Sequence, residues 1–292
     1  MRFEVVHETL YRYETPVVLS QQLLHLSPRP LPWQERASHA IRVEPEPAES
    51  AERVDYFGNP VTQIALAMPH QSLAVRARTE VSLAPRPRPP VAAAWEEVRD
   101  RLRAGGGAAP LDAVQFAFES PHVELFRDLS AYGAKSFARG RNLLEAALDL
   151  TGRIHAEFAF DPKATSVSTP LREVLQKRRG VCQDFAHLMI GCLRALGLAA
   201  RYVSGYILTT PPPGRPRLIG ADASHAWVSL WCANADALGG WVDLDPTNDC
   251  LVDEQHITLA WGRDFGDVTP MRGVILGGGE QELQVHVTVT PQ

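Results

Sequence analysis

Three short stretches of this chain carry residue types that can do covalent chemistry together. The first is Gly180-Val181-Cys182-Gln183-Asp184-Phe185-Ala186-His187-Leu188, where a cysteine stands between a glycine turn and an apolar helical run. Unpaired backbone N–H groups and the positive end of the dipole at a helix start favour thiolate over thiol. The others are Ser224-His225-Ala226-Trp227 and Leu244-Asp245-Pro246-Thr247. A thiol at a helix start, a histidine and an aspartate are the parts of an activated nucleophile. In that scheme Cys182 attacks a carbonyl carbon. His225 takes the thiol proton and later protonates the leaving amine, while Asp245 accepts a hydrogen bond from the other ring nitrogen. The backbone N–H of Cys182 is the natural oxyanion donor, since it points out of the helix start.

Each residue also has a plainer reading. A lone helical cysteine is more often core, as Cys192 within Leu188-Met189-Ile190-Gly191-Cys192-Leu193 illustrates. Cys232 ends an apolar strand and Cys250 follows a turn, and no Cys-x-x-Cys spacing points to zinc or a dithiol. An Asp-Pro pair is a common turn starter, so Asp245 alone carries little. Asp184 suits the positive helix start, and His187 on the same helix reads as structural. Phe158, Phe160 and Tyr202 either pack the core or line a cleft.

The elements that must position these residues follow from periodicity. The first 84 or so residues read as strands: Leu73 to Leu83 alternates with period two, and Phe3/Val5 and Ile41/Val43 do so more weakly. Asp55-Tyr56-Phe57-Gly58-Asn59-Pro60 is turn chemistry. Short strands without intervening helices predict a β-sandwich. Pro85-Arg86-Pro87-Arg88-Pro89-Pro90 then forms a stiff boundary. Residues 91–140 mix helical pieces with breakers such as Gly105-Gly106-Gly107. From Asn142, helical spacing runs through Leu143, Ala147, Leu150, Ile154 and Phe158 towards a stop near Asp161-Pro162. Thr169 and Pro170 read as the N-cap and first residue of a short helix. The Cys182 helix runs to about Leu196 and stops at Gly197.

Arg201–Leu208, His225–Trp231 and Trp241–Asp245 read as strands, the second buried on both faces. Pro211-Pro212-Pro213-Gly214 reads as a surface loop, and Leu283 to Val289 as a strand of either half. A hairpin across Cys232–Gly240 sets His225, opening one strand, directly or diagonally opposite Asp245, closing the other. Asp243 shares that face nearer the turn and is the weaker candidate.

At 292 residues with 45% hydrophobic and 22% charged composition, the chain has a soluble globular profile. Its formal charge of −5 argues against nucleic acid. No apolar signal core opens it and no uncharged run spans a bilayer, so the expectation is a cytoplasmic protein with free thiols and no membrane partner. No cofactor, metal ligand set or calcium-loop pattern is visible. Oligomeric state is left open.

The three motifs resemble the transglutaminase-like superfamily, particularly bacterial members with a β-rich N-terminal region. Gly180–Phe185, Ser224–Trp227 and Gly240–Thr247 carry the resemblance, together with Asp55–Asn59 and Gly262–Val268. It implies an α+β fold: an N-terminal β-sandwich plus a papain-like core whose helix carries the nucleophile against an antiparallel sheet. By position, Cys182, His225 and Asp245 match the family triad. Animal transglutaminases use an upstream tryptophan as second oxyanion donor, and no Trp lies between Trp95 and Trp227 here. Gln183 and Trp227 are therefore the oxyanion or substrate-binding candidates. The expected organisation is a β-sandwich at 1–90, a helical connection at 91–140, a catalytic core at 141–250 and completing strands at 251–292. The expected activity is cysteine-dependent amide hydrolysis of a peptide or amide through a thioester. Transamidation and a non-catalytic peptide-binding module are the alternatives.

Overall fold

One strand organises the N-terminal half. In the computed structural model, which describes residues 1–87, 93–104, 110–208, 224–233 and 240–292, β1 (Arg2–Leu24) is 23 residues long. It is followed by β2 (Gln34–Glu44), β3 (Glu49–Val54), β4 (Pro60–Leu66) and β5 (His70–Leu83). The helical region holds α1 (Trp95–Ala104), α2 (Leu111–Val114) and α3 (Arg127–Ala134). The core then runs α4 (Leu143–Glu157), β6 (Ala159–Phe160), α5 (Leu171–Lys177), β7 (Arg179–Gly180), α6 (Cys182–Ala195), β8 (Ala200–Ile207), β9 (Ser224–Trp231), β10 (Trp241–Asp245), β11 (Cys250–Leu251) and β12 (His256–Gly262). Finally β13 (Met271–Gly277) and β14 (Gln281–Pro291) return to β1.

The first part of β1 pairs with β5 and β14, and its second part with β4 and β13. A register shift against β5 between Arg12 and Val17 separates the two parts, as a bulge does when it bends a strand. The two leaves expected of a sandwich thus share β1 and join into one seven-stranded sheet with half-barrel form. Phe3, Val5, Val81, Val287 and Val289 face the main core, whereas Tyr13, Val17, Leu24, Leu66 and Leu73 close a second cluster with Met271.

The core sheet has the order β11-β10-β9-β8-β12 and its pairings are antiparallel. β9 is central and buried along its length, as its two-sided apolar pattern predicts. Ala226, Val228 and Leu230 pack into the cluster that contains the apolar residues of α6, while Trp227 packs with Val203 and Val252.

Helix ends show where local signals won or lost. Asn142 caps α4, its side chain accepting from the N–H groups of Leu144 and Glu145. That helix stops at Glu157, short of Asp161-Pro162, because Ala159–Phe160 leave it to pair in parallel with Arg179–Gly180. Pro170, not Thr169, occupies the N-cap of α5; the Thr169 hydroxyl accepts from the Ser166 N–H instead. Gly197 ends α6 at φ +83°, a conformation that favours glycine. The Pro211–Gly214 loop, the Gly105–Gly107 breakers and residues 234–239 of the hairpin connection lie outside the described residues.

The halves meet through paired buried polar groups. The Asn59 side chain forms two bonds with the backbone of Trp261, donating to its O at 2.9 Å and accepting from its N–H at 2.9 Å. Its remaining partners are Asp55 at 2.8 Å and Arg29 at 2.6 Å. Gln34 treats Thr258 the same way, donating at 2.7 Å and accepting at 2.8 Å. The Asp55–Asn59 turn is therefore a fastener between the halves.

Candidate active site

The start of α6 is built around a buried carboxylate. Asp184, 4% exposed, accepts from the Val181 N–H at 2.8 Å and from the Thr165 hydroxyl at 2.6 Å. It thereby satisfies a donor that a helix start would leave open. Burial pushes the Asp184 carboxyl up, and its hydrogen bonds from Thr165 and Val181 pull against that. Gly180 is required by space: a Cβ there would stand 2.5 Å from Asp184 Oδ2. The glycine, the cap and the helix together leave Cys182 as the first helical residue, partly exposed. Cys192 and Cys232 are fully buried, and burial pushes both thiols up to about 12.

His225 and Asp245 meet as diagonal neighbours. β10 pairs with β9 in a register that sets Leu244 against Val228 and Asp243 against Ser229. His225 Nε2 lies 2.7 Å from Asp245 Oδ2, and the Cys182 side chain faces the same ring closely enough to help raise its pKa. With Nε2 committed to the carboxylate, Nδ1 is the nitrogen left for sulfur. Burial alone would lower the His225 pKa, but the hydrogen bonds and charges of Asp245 and Cys182 outweigh it and raise the value to about 9. Asp243 turns elsewhere: its carboxylate takes Arg86 Nη1 at 2.6 Å.

Asp245 is fully buried and collects five donors. Its Oδ1 accepts from the N–H groups of Thr247 at 2.8 Å and Asn248 at 3.2 Å. Its Oδ2 faces His225, the Asn248 amide at 2.6 Å and His256 Nε2 at 3.2 Å. Burial pushes this carboxyl up, but the hydrogen bonds and the His225 charge dominate and hold it far below the usual carboxylate range.

Trp227 sits beneath the site rather than at its surface. Its ring is wholly buried and its Nε1–H is directed at Asp243 Oδ2, 3.4 Å away. It supports the site from within, 6.1 Å from the His225 ring and 5.4 Å from the His256 ring between centroids. Gly205 makes room for it, since a Cβ there would come within 2.4 Å of the indole. Gln183 is the second residue of α6 and half-buried. His187 is structural: burial lowers it to about 3, and its Nε2 accepts from the Phe265 N–H at 3.1 Å. Phe158 and Tyr202 are core, while Phe160 is exposed.

The residues that sequence reasoning missed are His256 and Asn248. His256 opens β12, on the far side of β8 from β9, so no local spacing links it to Asp245. Donor atoms of His225, Asp245 and His256 lie within 4.8 Å of one another, the further ligand type that the linear pattern lacks. The His225–Asp245 separation of 2.7 Å is a hydrogen-bond length, shorter than the spacing of ligands around a tetrahedral ion with bonds of about 2.0–2.1 Å. Hydrogen bonding is the arrangement that these distances fit.

A partly exposed thiol at a helix start, facing a histidine and a buried aspartate on an antiparallel sheet, defines an α+β protein with a cysteine–histidine–aspartate constellation. Residues 3–82 match the bacterial transglutaminase-like N-terminal region, and residues 131–246 match the transglutaminase-like superfamily. An uncharacterized protein of Mycobacterium tuberculosis (strain ATCC 25618 / H37Rv) is 39% identical over 296 residues, covering 99% of this chain and 93% of that one. One from Mycobacterium leprae (strain TN) is 32% identical over 293 residues, covering 99% and 98%. A protein-glutamine gamma-glutamyltransferase of Pseudomonas aeruginosa is 34% identical over 96 residues, 32% of this chain and 14% of that protein. Among solved structures, a proposed cysteine protease from Cytophaga hutchinsonii superposes with a TM-score of 0.77 at 20% identity, covering 99% of this chain and 90% of that one. The chain belongs to the transglutaminase-like superfamily, whose members are typically enzymes.

Proposed function

We propose that this protein is a cysteine-dependent amide hydrolase acting through a thioester. The observation that carries this reading is the convergence of three groups: the partly exposed Cys182 at the start of α6, the His225 ring whose pKa it helps to raise, and Asp245 hydrogen-bonded to that ring at 2.7 Å. In the forward half, the Cys182 thiolate adds to the amide carbonyl carbon, with the N–H groups at the α6 start beside the developing oxyanion. The C–N bond breaks as the protonated His225 gives its proton to the leaving amine. Water then attacks the thioester, His225 accepts its proton, and the C–S bond breaks to release the acid and restore the Cys182 thiolate beside the protonated ring. Asp245 keeps the ring oriented throughout. Gln183 is the side chain proposed to assist at the oxyanion.

Transamidation is the second reading, favoured by the local similarity to the gamma-glutamyltransferase. It shares the first half and replaces water with an amine. Incubation with a glutamine peptide and a labelled primary amine separates the two: ammonia release without label incorporation means hydrolysis. Replacement of Cys182→Ala is expected to abolish turnover with the folded circular dichroism spectrum retained. Turnover surviving in that variant would rule out the thioester.

A further inference from the structure

His256 lies between two carboxylates. Its Nε2 is 3.2 Å from Asp245 Oδ2 and its Nδ1 is 2.9 Å from Asp253 Oδ1. An ionised carboxylate only accepts hydrogen bonds. Asp245 is ionised because five donors converge on it. Asp253 is half-exposed and also accepts from the Gln255 N–H at 2.8 Å. The Asp253 N–H approaches Nδ1 at 3.4 Å, a longer contact than that of the carboxylate. An unprotonated Nδ1 would take the Asp253 N–H as its donor. With the carboxylate nearer, at 2.9 Å against 3.4 Å, the geometry favours a proton on each ring nitrogen, which makes the ring a cation.

We propose that Asp245 and Asp253 hold His256 as an imidazolium, and that its positive charge limits how tightly Asp245 grips the proton of His225. His256 is a positioning residue, since it acts through Asp245 and touches no reacting atom; this second part rests on the reading of Cys182 as nucleophile. The titratable groups facing the ring are Asp245 from β10, Asp253, His225 from β9 and Cys250 from β11. The two carboxylates balance two imidazoliums. Hydrogen bonding agrees with this: burial opposes the charge on His256, but Asp245 and Asp253 raise its pKa to about 10. Without the second cation, the whole charge of Asp245 would act on His225, whose ring centroid lies 6.1 Å from that of His256. The general acid would then release its proton less readily.

Two measurements on the full chain test this separately. Nitrogen-15 spectra of histidine-labelled protein, assigned with His256→Gln, are expected to show both His256 ring nitrogens protonated at pH 7.5. A neutral single-tautomer signal there would overturn the proposal. The pH profile of Cys182 alkylation by iodoacetamide, mapped by mass spectrometry to exclude Cys250, is then compared between wild type and His256→Gln. Gln retains an N–H donor and loses the charge, so both limbs are expected to move up by about one pH unit. His256→Lys, which restores the charge, is expected to move them back. A drop in amplitude without displacement would reduce His256 to a structural role. If His256→Gln does not fold, Asp253→Asn at the half-exposed partner serves: the His256 titration should then fall towards neutral pH, and its absence would overturn the assignment. An ordinary thiol profile in the wild-type protein would sink the nucleophile reading while leaving the spectroscopic result standing.

Discussion

At the scale of single residues, the site depends on which groups face Asp245. Five donors around one buried carboxylate mean that an isosteric amide cannot replace it without loss. Asn brings its own NH2 against at least one N–H, so Asp245→Asn should cost about 1–3 kcal/mol of stability. It should also reduce kcat by roughly 10³-fold through loss of imidazole orientation. His225→Ala should reduce kcat further, because it removes the proton carrier itself. Steady-state kinetics at a temperature where all variants remain folded checks the order, and near-complete activity in Asp245→Asn would contradict the triad. Asp243 shares the face of Asp245 in the strand pattern, and the fold separates them: one carboxylate is taken by Arg86 and the other faces His225.

At the scale of elements, Cys182 is presented by a strand–turn–helix unit that needs its glycine. A methyl group at Gly180 would meet Asp184 Oδ2 at 2.5 Å and its Cβ at 2.9 Å. Gly180→Ala should therefore displace the carboxylate from Val181 and Thr165, costing about 1–3 kcal/mol. Alkylation of Cys182 should slow relative to wild type as the helix start shifts. Denaturant unfolding and alkylation rates check both, and an unchanged midpoint would show that Asp184 has another rotamer open to it. The element also explains a misplaced cap. Thr169 and Pro170 fit the first two positions of a helix by type, yet Thr169 closes a turn with Ser166 and the proline moves out one place.

At the scale of the whole molecule, the two halves are joined by side chains that imitate strand pairing. Asn59 is fully buried and pairs with both polar groups of the Trp261 backbone. Asn59→Ala leaves buried groups unpaired and should cost about 3 kcal/mol, seen as a lower denaturant midpoint. The pH dependence of stability follows from the same buried network. The pKa of His225 is raised from 6.5 to about 9 and that of His256 to about 10. A raised pKa contributes stability that is fully present below the unfolded value and is lost as pH rises through the folded one. Tm should accordingly be sustained below a pH of about 6.5 and fall steadily as pH rises from there, the contribution being gone above about 9 to 10. Asp245 acts with the opposite sign, contributing above the ordinary carboxylate range and losing that contribution in acid. A Tm that stays flat to pH 10.5 would show that these rings are not held protonated.

Much of this protein was legible in one dimension. Period-two alternation in Leu73–Leu83, the apolar run of β9 and the cysteine after Gly180 report local preferences that survive folding, because each element's buried face must match its own period. Residue type together with position at a helix start and at strand ends placed Cys182, His225 and Asp245 as candidates, and hairpin pairing of β9 and β10 brings the last two together as neighbours. Other facts exist only in three dimensions. The alternation of the last strand fits either half equally, and its pairing with Phe3–Tyr13 was settled by which edge of β1 lay open to it. The side chain that shares Asp245 with His225 comes from a strand two places from β9 in the sheet. Which of two like carboxylates keeps the ring depends on Arg86, 157 residues before Asp243. What else Asp245 holds depends on how β12 folds back to bring His256 against it, and spacing carries no record of either.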